Sequence, residues 1–71
     1  MTAKIIDAQT IGERLRTLRG TKTQKEVGDA IGVTAMAISL YERGERVPND
    51  DVKVALARYF NSTVEAIFFT F

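Results

Sequence analysis

The chain has 71 residues, enough for one small domain, with an apolar fraction of 45% and a charged fraction of 27%. That balance is ordinary for a soluble globular domain and argues against disorder. With no Cys and no His, disulfides, thiolate metal sites and the commonest general base are all excluded. The net charge of +1 lends only weak support to a nucleic-acid partner, so the placement of charge must carry that argument. No phosphate-loop motif is present, residues 1–10 lack the long apolar run of a signal peptide, and no stretch of the sequence is apolar enough to span a bilayer. The expectation is a cytoplasmic protein that is not an enzyme, with no metal, cofactor or membrane partner.

The interior reads as short helices separated by turn residues. Thr10-x-x-Glu13, Thr23-x-x-Glu26 and Ser62-x-x-Glu65 each match the capping box, in which a hydroxyl and a carboxylate satisfy orphan helix N–H groups. The first predicted helix runs from Ile11 to Arg19, with Ile11, Leu15 and Leu18 on one face and Gly20 as its stop. The second runs from Gln24 to Ile31, with Val27, Ala30 and Ile31 inward. Gly28 inside it costs about 1 kcal/mol relative to Ala, which points to a neighbour approaching too closely for a larger side chain.

Gly32 suits the positive φ of a helix stop, and Thr34 caps a third helix that ends near Arg43, before Gly44. At about 100° per residue, Ile38, Tyr41 and Glu42 share one side of that helix, and Met36, Leu40 and Arg43 the other. Glu42 therefore faces inward and needs a partner. Arg19 is the candidate; the alternative is an exposed Glu42 beside a solvated Arg19. After Pro48, Asn49 caps a fourth helix that runs to about Phe60, with Val52, Ala55, Leu56 and Tyr59 inward and Asn61 at its end. A short fifth helix from Thr63 to about Phe68 buries Val64 and Ile67. The two ends, Lys4-Ile5-Ile6 and Phe68 to Phe71, are β-branched or aromatic. Their pairing as a small antiparallel β ribbon is a further hypothesis.

Two helices joined by a short Gly-containing turn form a helix-turn-helix. The stretch TQKEVGDAIGVTAMAISLYERGERVP, Thr23 to Pro48, resembles the helix-turn-helix of the phage-repressor class, the Cro/cI or XRE family. The likeness lies in Gln24 opening the second helix, the small Gly28, Gly32 in the turn, Val33 and Ile38 inward, and Glu-x-Gly before a Pro. It extends from Ile11 to Ile67. The connection from Arg19 to Gln24 is shorter than the family's usual one, which leaves the placement of Lys22 open.

The resemblance implies an all-α, five-helix repressor-like bundle, a single helix-turn-helix domain over residues 1–71. It implies a sequence-specific regulator, in the simplest case a repressor that occludes a promoter. It implies double-stranded DNA as partner, bound as a homodimer on a two-fold symmetric operator with half-sites about 34 Å apart. Gln24 falls on the family's phosphate contact, with Thr23 and Lys25 beside it. Thr34, Ala35 and Met36 fall on the base-facing positions, and Ser39, Leu40 and Arg43 continue that face. Arg19 and Glu42 fall on its buried ion pair. Lys22 and Arg46 are placed by the motif near the same groove, whereas Arg14, Arg16, Lys53 and Arg58 read as solvated surface.

The outward face is unusual for a base reader, because Ala35, Met36 and Leu40 have no hydrogen-bonding groups for base edges. They can touch thymine methyls, with DNA shape and phosphate contacts supplying the rest. The competing reading is a protein-interaction module, an antirepressor or antitoxin, that uses the same apolar face. Tyr59, Phe60, Phe68, Phe69 and Phe71 are candidate dimer contacts, with Phe69 and Phe71 the better ones; the alternative is that these aromatics only complete the monomer core, the reading preferred for Tyr59.

Overall fold

The computed structural model describes residues 7–70. Helix α1 spans Ala8–Arg19, α2 Gln24–Ile31, α3 Ala35–Glu42 and α4 Asp50–Tyr59. A π-helical turn, Glu65–Phe69, closes the chain. No strand occurs among the described residues.

The caps explain the helix boundaries. The α1 helix begins at Ala8, earlier than the expected Ile11, because Asp7 rather than Thr10 is the N-cap. The Asp7 carboxylate accepts from the backbone N–H groups of Gln9 and Thr10 at 3.1 and 3.2 Å. Asp is at least as good a cap as Thr, and it comes first in the chain. The Thr23 and Thr34 hydroxyls accept from the N–H groups three residues on, each at 3.0 Å. The Asn49 side chain does the same for Val52 at 3.0 Å. At the terminal turn the cap is Thr63, which accepts from Ala66 at 3.0 Å, rather than Ser62. The Ser62 N–H is committed elsewhere, donating to the Ala57 carbonyl at 2.8 Å as α4 ends. Asn61 takes the left-handed conformation at that stop, with φ of 54°.

The core consists of Ile11, Leu15, Val27, Ile38, Tyr41, Leu56, Ala57, Ile67 and Phe68. Two helix pairs approach closely at glycines. A Cβ on Gly28 would lie 2.6 Å from the Val33 carbonyl oxygen, so α2 can pack onto the turn before α3 only without a side chain there. A Cβ on Gly12 would lie 2.7 Å from the Tyr41 oxygen, so α1 rests directly on the end of α3.

Several expected positions differ. Leu18 and Ala30 are exposed rather than inward, because each helix turns only a narrow stripe toward a core this small. Phe68 is fully buried, so it completes the monomer core and offers nothing to a dimer partner. Phe68 and Phe69 lie in the π-helical turn, so they form no strand; the other half of the hypothesised ribbon, residues 4–6, lies outside the described residues, as does Phe71. Lys53 is buried rather than solvated. Its ammonium lies 3.7 Å from Asp50, 5.9 Å from the Phe68 ring centre and 5.0 Å from that of Phe69. Its stem covers apolar surface while the charge meets ring faces and a carboxylate. Arg14 is not a free surface charge either. It donates to the carbonyls of Ala66 at 3.1 Å, Ile67 at 2.9 Å and Thr70, satisfying acceptors that the π-helical turn leaves open.

Candidate nucleic-acid interface

The α2–turn–α3 unit is built from Gly32, which has φ of 83°, and from two capped helix starts. The N–H groups of both Gly32 and Val33 donate to the Gly28 carbonyl, at 2.8 and 2.9 Å, so the turn is fixed by the backbone. This packs α3 against α2 and leaves Thr34, Met36 and Arg43 exposed along one side of α3.

That face follows from helical geometry. At 100° per residue, Ala35, Met36, Ser39, Leu40 and Arg43 fall within an arc of about 140°. Ile38, Tyr41 and Glu42 lie outside that arc and are buried. Met36 is 64% exposed and Arg43 is exposed, while Ala35, Ser39 and Leu40 are half-buried. Thr34 is exposed; its oxygen is used in capping, and its O–H remains free to donate. The start of α2 adds exposed Thr23 and Lys25 and half-buried Gln24, and the loop after α3 adds exposed Arg46.

The charges are arranged unevenly. Lys25 pairs with Asp29 at 2.8 Å, and the hydrogen bond raises the ammonium's hold on its proton. Arg43 pairs with Glu45 at 3.2 Å. Both pairs are exposed and therefore weak. Lys22 and Arg46 are exposed and make no ion pair among the described residues.

Beneath this surface lies a buried polar cluster. The Glu42 side chain is 1% exposed. Its Oε2 accepts from Arg19 Nε at 2.5 Å, and its Oε1 accepts from Arg19 Nη2 at 3.0 Å, a bidentate fork. Arg19 also donates through Nη1 to the Lys22 carbonyl at 2.7 Å, which pins the short α1–α2 connection. The hydrogen bond to Glu42 raises the guanidinium's proton affinity, so Arg19 stays charged. Gln24 Nε2 donates to the same Glu42 Oε1 at 3.1 Å. Sequence reasoning missed this contact, since only the inward direction of Glu42 could be read from the helical period. Arg16, 65% exposed, lies at 3.8 Å from Glu42.

A groove of about 390 Å³ lies between α1 and the π-helical turn, and none of the α2 or α3 residues named above lines it. No helix among the described residues is long and apolar enough to cross a membrane.

The helix-turn-helix family profile matches residues 13–67. The chain belongs to this family, the XRE class of DNA-binding transcription regulators. A comparison with curated protein sequences returns no match. Among solved structures, the chain resembles the phage P22 c2 repressor in complex with a synthetic operator. The TM-score is 0.80 and the identity 33%, over 83% of this chain and 92% of that one. It is also similar to the restriction-modification controller protein C.AhdI from Aeromonas hydrophila. There the TM-score is 0.79 and the identity 26%, covering 87% and 97% of the two chains. The SOS-response repressor LexA from Eubacterium rectale matches with TM-score 0.77 and 28% identity, over 90% and 72%.

Proposed function

We propose that this chain is a sequence-specific transcriptional repressor that binds a two-fold symmetric operator as a homodimer. The observation that carries the reading is the outward side of α3, a capped helix on which Met36 is 64% exposed and Thr34 and Arg43 are exposed beside it. The operator-bound P22 c2 repressor, 33% identical, supports the same partner for this chain.

On this reading, Thr34, Ala35, Met36, Ser39 and Leu40 enter the major groove. Ala35, Met36 and Leu40 meet thymine methyls, and the two hydroxyls serve polar edges. Arg43 reaches a phosphate or a guanine edge. Thr23, Gln24, Lys25 and Arg46 hold the phosphates, assisted by the N–H groups at the starts of α2 and α3. Lys25 and Arg43 exchange their weak carboxylate partners for phosphate. Phe69, 43% exposed, is the candidate dimer contact, and half-buried Phe60 flanks the core rather than standing free.

A second reading has one observation in its favour. The face is apolar at Met36 and Leu40, and two of the basic residues assigned to it, Lys25 and Arg43, are already paired with carboxylates. A protein-interaction module, antirepressor or antitoxin, would present such a face. Selection from a pool of random DNA duplexes separates the two. The repressor reading expects a two-fold symmetric site with thymines at the centre of each half. An unenriched pool would favour the protein partner.

A further inference from the structure

The buried Glu42 carboxylate has a role beyond its pairing with Arg19. Its Oε1 receives two donors, Arg19 Nη2 at 3.0 Å and Gln24 Nε2 at 3.1 Å. Gln24 opens α2, beside the Thr23 cap, and is half-buried. A glutamine amide can usually present either its oxygen or its nitrogen to a neighbour. Here it cannot, because a carboxylate only accepts. The amide nitrogen must turn toward Glu42, and one N–H of that nitrogen is left over.

We propose that Glu42 is a positioning residue that orients the Gln24 amide for a backbone phosphate. A phosphate oxygen, like a carboxylate, only accepts. The same nitrogen can therefore donate one hydrogen to Glu42 and the other to the phosphate. In the opposite orientation, the amide oxygen would face the carboxylate and no donor would be fixed in place. Arg19 is essential to this arrangement. Its bidentate guanidinium balances the Glu42 charge, so that the phosphate does not approach an uncompensated anion. The pair that ties α1 to α3 thus also pre-orders a side chain of α2, and Gln24 need not be ordered when DNA arrives. Preorganisation of this kind lowers the entropic cost of binding. The proposal rests on the reading of Gln24 as a phosphate contact.

The test uses the full chain in two arms. In the first, the side-chain amide of Gln24 is followed by 15N relaxation in the free protein, with exposed Gln9 as internal reference. Gln24 Nε2 should be as rigid as the α2 backbone; mobility equal to that of Gln9 would overturn the positioning role. This arm needs no variant, so it stands even if an altered Glu42 fails to fold. In the second arm, Gln24→Ala and Glu42→Gln are combined in a cycle against one selected duplex. Gln24→Ala alone should weaken binding by about tenfold, the scale of a hydrogen bond to a charged group. In the Glu42→Gln background it should weaken binding by less than about twofold, because a neutral amide at position 42 no longer dictates the orientation. A full tenfold effect in both backgrounds would leave Gln24 a phosphate contact but overturn the role of Glu42. No effect of Gln24→Ala in wild type would overturn the phosphate reading and the positioning role with it.

Discussion

Gly12 and Tyr41 leave no room between them: a methyl at Gly12 would lie 2.7 Å from the Tyr41 carbonyl oxygen, a backbone atom that cannot swing aside. The Glu42 carbonyl oxygen lies closer still, so α1 is seated directly on the backbone at the end of α3. Gly12→Ala should destabilise the protein by about 1–3 kcal/mol, the cost of overpacking, although alanine is the better helix former. Urea unfolding followed by circular dichroism measures this. A variant as stable as wild type would mean that the two helices can separate freely.

Removing one member of the buried ion pair should be far more damaging than removing an exposed one. Glu42→Ala strands Arg19 and should cost roughly 3–5 kcal/mol, whereas Glu45→Ala, which frees Arg43 at the surface, should cost less than about 1 kcal/mol. Thermal or urea unfolding of the two variants gives the comparison directly. Equal and small losses would show that Glu42 is solvated in solution.

The two neighbouring phenylalanines should behave differently. Phe68 is fully enclosed, so Phe68→Ala should cost about 3–5 kcal/mol in unfolding experiments. Phe69 is 43% exposed, and Phe69→Ala should cost much less. If Phe69 lies at a dimer interface, its replacement should instead lower the self-association seen by sedimentation at high concentration. Unchanged sedimentation would remove Phe69 from the interface.

Methyl contacts can be tested on the DNA instead of the protein. Replacing a half-site thymine by deoxyuridine deletes one methyl group and nothing else. Where Met36 or Leu40 meets that methyl, binding should weaken about fourfold, matching ~0.8 kcal/mol per buried methyl-sized group. Met36→Ala should abolish the sensitivity at its own position. Binding indifferent to every such replacement would leave only shape and phosphate contacts as sources of specificity.

The elements most legible in the sequence were those with local causes. The α2 and α3 starts at Thr23 and Thr34, the turn at Gly32 and the stop at Asn61 each rest on one residue's own chemistry, and the structure has them where expected. The close approach at Gly28 was readable because a glycine in a helix is costly without a reason. What escaped depended on distant parts of the chain. Arg14 caps carbonyls more than fifty positions away, Lys53 lies against Phe68 and Phe69, and Gln24 reaches Glu42 across two elements. Taken singly, each has the composition of solvated surface. The start of α1 is ambiguous in the sequence for a different reason: two acceptable caps, Asp7 and Thr10, compete within one turn, and only Thr10 has a Glu at capping-box spacing.

The most direct measurement of the central claim is a salt titration of binding, by fluorescence anisotropy, to the best selected duplex and to a scrambled duplex of equal composition. A large preference for the selected site is expected, with an affinity that falls log-linearly with salt at a slope of about −0.9 per phosphate neutralised. Equal binding to both duplexes, or none to either, would contradict the claim that α3 reads DNA.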